Sequence, residues 1–143
     1  MRHRCAILDD YQNVALTLAD WSALQDRVDT TVFTTPFATA DDAVAALKDF
    51  DIVCAMRERT PFRADTVAAL PKLKLLITSG MRNAAFDIEA LKACGISVCG
   101  TGGFGNATAA LTIGLMLELT RHIGRENARM HAGEPWQITV GQD

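Results

Sequence analysis

Short apolar runs alternate with longer stretches of helical periodicity along the first hundred residues. Runs of strand length, rich in β-branched or large apolar residues, occur at 4–8, 30–34, 51–56, 73–80 and 96–100. Apolar residues recur at helix-like intervals between these runs, at 14–24, 38–50, 64–71 and 86–95. Strands that alternate with helices predict βαβ units and a parallel sheet covered by helices on both faces.

Five such strands in this part of the chain predict a flavodoxin-like, doubly wound α/β fold with a five-stranded parallel sheet in the order 2-1-3-4-5. Thr39 is expected to cap the helix at 38–50, and Gly95 is expected to end the helix at 86–95. The chain is interpreted as one domain over 1–143, with its α/β core at 1–100.

The remaining part, 101–143, is expected to hold a glycine loop, a long C-terminal helix and a tail. The helix at 106–124 is apolar on most faces up to Arg121, and a shorter polar helix is predicted within 125–136. A helix that is apolar nearly all round needs cover on more than one side. This pattern favours contact with a partner domain, or a homodimer formed through 106–124.

Composition excludes several classes of partner. The 143 residues are 49% hydrophobic and 22% charged with a formal charge of −3, which gives no expectation of a nucleic-acid or membrane partner. The start, "MRHRCAILDD", predicts a buried strand rather than a signal peptide. The four cysteines lack C-x-x-C spacing and are expected to be buried free thiols in a reducing cytoplasm. The three histidines have no ligand-like spacing, so no metal site is expected.

The letters "GTGGFG" at 100–105 match the dinucleotide pattern G-x-G-x-x-G. In a dinucleotide fold that pattern follows the first strand, and an acidic residue about 20 positions on ends a second strand. Here the pattern follows the fifth strand, and Glu118 lies inside the long helix. The loop is therefore interpreted as a flexible turn without a cofactor-binding role.

The carboxyl ends of the central strands are a stronger candidate for a ligand site, because open parallel sheets bind ligands there. Asp9 and Asp10 follow the first strand, and 57–60 and 79–83 follow the third and fourth. Arginines suit carboxylate or phosphate binding, since a guanidinium presents a fork of donors; the candidates are Arg57, Arg59 and Arg82. Gly80 would let backbone N–H groups reach an anion.

A phospho-receiver domain is the rival interpretation of this edge. That fold needs an aspartate at the end of the third strand and a lysine after the fifth. Met56 and Arg57 occupy the first place and 100–102 the second. The phosphoryl acceptor is missing, so the receiver interpretation is rejected.

The segment from 57 to 101 resembles the substrate-binding domain of the D-isomer-specific 2-hydroxyacid dehydrogenases, close to their phosphoglycerate-dehydrogenase-like branch. The turn pattern T-x-G-x-x-N/D-x-x-D is matched by Thr78, Gly80, Asn83 and Asp87. The pattern G-(I/V)-x-V before the glycine loop is matched by 95–98. The long helix also fits the family, so the resemblance extends over nearly the whole chain.

The resemblance implies hydride exchange between NAD(H) or NADP(H) and a small 2-keto or 2-hydroxy acid. It places the substrate carboxylate against the backbone N–H groups of 79–81 and the substrate's distal group near Arg57. The expected substrate-binding residues are Arg57, Ser79, Gly80, Met81, Arg82 and Asn83. The catalytic Arg, Glu and His and the cofactor fingerprint belong to a second domain, so no catalytic, cofactor-binding or metal residue is assigned within 1–143.

Two features depart from the family pattern. Ala110 occupies a position that is usually glutamate, and the sequence contains neither a nucleotide-binding domain nor the C-terminal return segment. Hydride transfer needs the cofactor held against the substrate, so the chain alone is expected to be inactive and to bind no cofactor. A stand-alone, non-catalytic module that binds a small anion or a protein partner is the alternative.

Overall fold

The computed structural model describes residues 2–103, 105–135 and 137–142. The chain divides into two compact units, Met1–Gly103 and Phe104–Asp143. The elements of the first unit are β1 His3–Ile7, β2 Val28–Val32, α1 Ala40–Leu47, β3 Ile52–Ala55, α2 Ala64–Ala68, β4 Leu75–Thr78, α3 Ile88–Ala93 and β5 Ser97–Gly100. The second unit contains α4 Ala107–Arg121 and α5 Ile123–His131.

The five strands form a single parallel sheet in the order β2-β1-β3-β4-β5. This confirms the predicted α/β fold and its strand order. In the central register Ala6 pairs with Val53, and Val53 pairs with Leu76. Because alternate residues of a strand point to opposite faces, these three side chains share one face of the sheet.

That face carries the hydrophobic core. Its strand residues form one cluster with side chains from all three helices of the first unit, including Leu47 of α1, Val67 of α2 and Leu91 of α3. All three of these helix side chains are almost fully buried. Burial of large aliphatic side chains stabilises a fold by about 1.5–3 kcal/mol each, so this cluster holds α1, α2 and α3 on the sheet.

Local signals set the helix boundaries in this unit. The Thr39 hydroxyl accepts from the Asp42 N–H at 3.1 Å, while the Asp42 carboxylate accepts from the Thr39 N–H at 3.1 Å. This reciprocal capping box confirms Thr39 as the N-terminal cap of α1. Asp87 caps α3 by accepting from the Ala90 N–H at 3.0 Å, and Gly95 follows α3 with φ +71°. A left-handed φ of that kind ends a helix at little cost only for glycine.

The helix predicted at 14–24 is wrong. The structure has only a 3₁₀ turn, Ser22–Leu24, in this stretch. The Asp10 carboxylate accepts from the Val14 and Ala15 N–H groups at 3.1 and 2.8 Å, and the Trp21 indole N–H donates to the Ala15 carbonyl at 3.0 Å. The Trp21 indole therefore takes a backbone carbonyl that a helix would use, whereas the two N–H groups bound by Asp10 would have no partner inside a helix.

The second face of the sheet has a correspondingly lighter cover. A groove of about 390 Å³ lies there between the 3₁₀ turn and the strands, and its lining includes Trp21, Leu24, Ile52, Leu75 and Ile77. The strand side chains on this face alternate with those of the core cluster, and several are only half-buried.

The cysteines are all free, but burial is confirmed only in part. Cys5 is buried and Cys54 is half-buried, whereas Cys94 and Cys99 are exposed. Cys99 is exposed because β5 is an edge strand with a mostly exposed surface. The Cys5 and Cys54 sulfurs lie 3.9 Å apart on the second face of the sheet. This hydrogen bond raises the pKa of Cys5 and lowers that of Cys54.

In the second unit, α4 and α5 meet at His122, whose backbone is left-handed with φ +54°. The polar helix predicted within 125–136 is present as α5, although Trp136 lies outside the described residues. The tail returns to the helices: the Gln142 N–H donates to the Thr120 carbonyl at 2.8 Å, and Glu126 accepts from the Thr139 N–H at 2.8 Å. Among the described residues, none in α4 or α5 is buried.

Of the helices in the described residues, none has both the length and the hydropathy needed to cross a membrane.

Candidate functional site

Four of the chain segments that leave the sheet at its carboxyl edge are those after β1, β3, β4 and β5. Leu8 and Asp9 follow β1, Met56 and Arg57 follow β3, and Ser79 follows β4. Thr101 follows β5. Parallel strands present their carboxyl ends at one edge, and this edge is where open α/β sheets place their ligands.

The turn after β4 is the centre of the edge. Gly80 has φ +102°, and its N–H donates to the Thr101 hydroxyl at 2.9 Å. The Ser79 N–H donates to the Ala55 carbonyl at 3.1 Å. The guanidinium of Arg57 lies directly over Gly80, because a Cβ added to this glycine would be 2.7 Å from Nη1 of Arg57. Glycine is therefore required at position 80 both by the backbone conformation and by the arginine.

Arg57 is held in an unusual conformation by its neighbours. Its φ of +51° lies in the left-handed region, which costs a non-glycine residue about 1–2 kcal/mol. Its N–H donates to the Ser79 hydroxyl at 3.1 Å, and its carbonyl accepts from the Asn83 side-chain amide. The Ser79 hydroxyl in turn donates to the Met56 sulfur at 3.0 Å. These bonds fix the backbone that points the guanidinium at the turn.

Asn83 connects the two loops rather than pointing a free amide outward. Besides Arg57, its amide nitrogen donates to the Thr78 hydroxyl at 3.0 Å, and its oxygen accepts from the Ala85 N–H at 2.9 Å. Met81 and Arg82 follow the turn with exposed side chains, that of Met81 being 75% exposed. Of the predicted site residues, Arg57, Ser79 and Asn83 thus form one hydrogen-bonded group, and Gly80 lies beside the Arg57 guanidinium.

Arg59 has a different role from the one its position suggested. Its guanidinium donates to the Asp9 carbonyl at 2.8 Å and lies 4.4 Å from the centre of the Tyr11 ring. The buried Asp9 carboxylate accepts from the Thr60 hydroxyl at 2.8 Å. Desolvation and the neighbouring Asp9 carboxylate raise the pKa of the Tyr11 hydroxyl. These contacts join the ends of β1 and β3, so Arg59 stabilises the edge.

Sequence reasoning missed Thr101 as a member of this group. Its hydroxyl contacts the Gly80 N–H, and its own N–H donates to the Thr78 and Gly80 carbonyls at 3.2 Å each. The available signal was its position directly after β5, at the same edge as the other candidates.

The glycines of the loop at 100–105 differ in whether their surroundings require glycine. A Cβ added to Gly102, Gly103 or Gly105 would meet nothing within 4 Å, so no close contact requires glycine there. Phe104 of this loop lies outside the described residues. Gly100 differs, because a Cβ there would lie 2.7 Å from the Gly80 carbonyl oxygen.

Within the described part of the chain, no group of three or more His, Cys, Asp or Glu side chains is arranged to hold a metal ion.

The fold and this edge define a parallel α/β protein in which an arginine guanidinium lies over a glycine turn at the carboxyl ends of the strands. The model of the catalytic domain of D-isomer specific 2-hydroxyacid dehydrogenases matches residues 6–128. The chain therefore belongs to the D-isomer specific 2-hydroxyacid dehydrogenase family.

Individual relatives agree with this assignment. The chain is 30% identical over 98 residues to a hydroxypyruvate reductase from Thermotoga maritima, an alignment that covers 68% of this chain and 31% of the relative. It is similar to the crystal structure of a phosphoglycerate oxidoreductase from Vibrio cholerae, with a TM-score of 0.86, 33% identity and 98% of this chain covered. D-lactate dehydrogenase from Escherichia coli, at 19% identity, covers 96% of this chain with a TM-score of 0.75 and shares its fold.

The chain spans less than half the length of these relatives. It covers 45% of the Vibrio cholerae protein and 44% of the Escherichia coli protein.

Proposed function

We propose that this chain is the substrate-binding domain of an NAD(P)-dependent oxidoreductase that acts on small 2-keto or D-2-hydroxy acids. The observation that carries the proposal is the Arg57 guanidinium lying over the Gly80 turn at the carboxyl edge of the sheet. A fork of donors beside a turn without a side chain is suited to a carboxylate. Family membership supplies the class of reaction.

In this proposal the chain binds and orients the acid. Arg57 and the donors around Gly80 hold the carboxylate, and Met81 and Arg82 lie at the mouth of the site. Ser79 and Asn83 keep the two loops in register through the bonds to the Arg57 backbone. Fixing the carboxylate fixes the orientation of the adjacent keto carbon, which is the contribution that positioning makes to hydride transfer.

NAD or NADP supplies the hydride when it is bound, and we place its site outside residues 1–143. The chain alone is then inactive. NADH oxidation measured with the purified chain and hydroxypyruvate, glyoxylate or pyruvate should equal the rate without protein. Turnover above that rate would contradict this part of the proposal.

Binding of the acid is tested directly by titrating the isotope-labelled chain with hydroxypyruvate and following backbone amide resonances. We expect the signals of 79–82 to move in a saturable way. Arg57→Gln should weaken binding by about tenfold or more, as expected for loss of a hydrogen bond to a charged group.

Arg2→Gln is the matched control, since it removes the same charge at the amino end of β1, where Arg2 pairs with Asp29 at 3.1 Å. It should leave the dissociation constant unchanged. Equal weakening by both variants would indicate general charge attraction, and the proposed site would be wrong.

We further propose that the exposed apolar surface of α4 pairs with a second copy of this chain, and that the protein is cytoplasmic. Leu111, Leu115 and Leu119 are 64%, 54% and 75% exposed, a pattern more typical of an interface than of a monomer surface. Sedimentation should show a concentration-dependent dimer that Leu115→Glu abolishes. A strictly monomeric wild-type chain would contradict this pairing.

A further inference from the structure

Thr101 contacts the turn after β4 at three points. Its N–H is shared between the Thr78 and Gly80 carbonyls at 3.2 Å each, and its hydroxyl accepts from the Gly80 N–H at 2.9 Å. The preceding residue, Gly100, packs its backbone against the Gly80 carbonyl. The end of β5 and the turn after β4 are thus one rigid backbone assembly with the Thr101 hydroxyl on it.

The chemistry of that hydroxyl leaves one proton unused. A threonine hydroxyl has one O–H donor and two acceptor lone pairs. The Gly80 N–H enters one lone pair, and among the described residues no acceptor takes the O–H proton. Thr101 is exposed, so a ligand at the edge can reach it. An N–H bond into the oxygen also polarises the O–H and strengthens it as a donor.

Two of the three backbone N–H groups at 79–81 are already engaged. The Ser79 N–H is bonded to the Ala55 carbonyl, and the Gly80 N–H is bonded to Thr101. A carboxylate that bound these two N–H groups directly would have to break two existing hydrogen bonds. A carboxylate that accepted from the Thr101 O–H would keep both.

We propose that Thr101 is a substrate-binding residue whose hydroxyl accepts from the Gly80 N–H and donates to the carboxylate of the 2-keto acid. The inference rests on the proposed function. The carboxylate lies between the Thr101 O–H and the Arg57 guanidinium, both of which lie next to Gly80. The Gly80 N–H acts on the substrate through Thr101, whereas the family resemblance implied direct backbone contact.

Two variants of Thr101 separate the hydroxyl from the shape of the side chain. Thr101→Val keeps the shape and removes the hydroxyl, and it should weaken hydroxypyruvate binding to the chain by about tenfold or more. Thr101→Ser keeps the hydroxyl and should stay within about threefold of wild type. Thr112→Val is the control, because it removes a hydroxyl that donates to the Thr108 carbonyl in α4.

The direction in which Thr101→Val changes hydroxypyruvate affinity shows whether the hydroxyl binds the substrate or competes with it for the Gly80 N–H. Unchanged or tighter binding by Thr101→Val would show that the hydroxyl only occupies the Gly80 N–H, and it would overturn the proposal. If the valine variant does not fold, the wild-type titration decides. The Thr101 amide and methyl signals must then shift together with that of Met81, and a stationary Thr101 overturns the proposal.

Failure of this inference is distinguishable from failure of the proposed function. If hydroxypyruvate binds and Arg57→Gln weakens it while Thr101→Val does not, only the role of Thr101 is wrong. If hydroxypyruvate causes no saturable shift in the wild-type chain, the proposed function fails and the role of Thr101 fails with it.

Discussion

Two helices of this chain are rich in apolar residues but differ in whether those residues are buried. Helix α1 has eight residues, and it buries Ala43 and Leu47 against the sheet. Helix α4 has 15 residues, and none of those described is buried. Its side chains that are at least about half exposed include Leu111, Ile113, Leu115, Met116, Leu117 and Leu119. Apolar content alone therefore does not place a helix in a core.

The difference lies in where the apolar residues fall. In α1 the acids Asp41 and Asp42 occupy the first turn and the apolar residues recur on one side, so one face can be buried and the other solvated. Helix α4 is apolar around most of its circumference. The two helices also begin differently, since Thr39 caps α1 with its side chain and Asn106 makes no such bond.

The largest expected difference between the helices is in the cost of truncating a leucine. Leu47 is 1% exposed and Leu119 is 75% exposed. Leu47→Ala should lower the free energy of unfolding by about 2–5 kcal/mol, because it leaves a cavity in the core cluster. Leu119→Ala should change it by less than about 0.5 kcal/mol. Urea denaturation of dilute protein measures both, and equal losses would contradict the comparison.

Replacing two different glycines by alanine should change the free energy of unfolding in opposite directions. Gly80→Ala should destabilise the fold by about 1–3 kcal/mol, because φ +102° is strained for alanine and the Arg57 guanidinium must move. Gly114 lies inside α4, and a Cβ there meets nothing within 4 Å. Gly114→Ala should stabilise by about 0.5–1 kcal/mol through helix propensity. The same denaturation series reports both, and a shared sign would show that one of these environments is misassigned.

The two helix starts give a smaller contrast. Thr39→Ala removes the hydroxyl that accepts from the Asp42 N–H and should cost about 1 kcal/mol, although the backbone N–H at position 39 can still donate to Asp42. Asn106→Ala removes no side-chain cap and should cost no more than a few tenths of that. Thermal melts followed by circular dichroism resolve a difference of this size. A loss at Asn106 as large as that at Thr39 would mean that α4 is capped in solution.

The smallest effect depends on pH. The Lys74 ammonium, followed by the Arg4 N–H, lowers the pKa of the Asp51 carboxyl from 3.8 to about 2. Because the folded-state pKa is depressed, this stabilisation is present above about pH 4 and is lost as pH falls towards about 2. Asp51→Asn should therefore show a smaller fall in melting temperature over this window than wild type. Asp29→Asn, which breaks only the exposed pair with Arg2, should behave like wild type.

Much of the sheet could be predicted because the signals that build it are local. Apolar strands separated by turns and helices leave few arrangements, and the rules for parallel crossovers select among them. The cap at Thr39 and the stop at Gly95 are equally local. Arg57 and Gly80 were recognisable because both directly follow strands at the ligand-binding edge.

The missed features depend on contacts between distant parts of the chain or on competition for backbone groups. At 14–24 the periodicity favoured a helix, but the Trp21 indole takes the Ala15 carbonyl that a helix would use. The Arg59 guanidinium donates to the carbonyl of Asp9, which lies 50 positions away in the sequence. Thr101 becomes part of the site only when β5 lies beside β4, so its spacing from Gly80 in the sequence carries no signal.

The strand order also has a consequence for synthesis. Of the five strands, β1 comes first in the sequence, and it is paired on both sides in the sheet, by β2 and by β3. After β3, each new strand adds to the strand made just before it, β4 to β3 and β5 to β4. The sheet can thus extend in the order in which the ribosome releases it. The carboxyl edge that holds Arg57 and Gly80 is completed last, when β5 delivers Thr101.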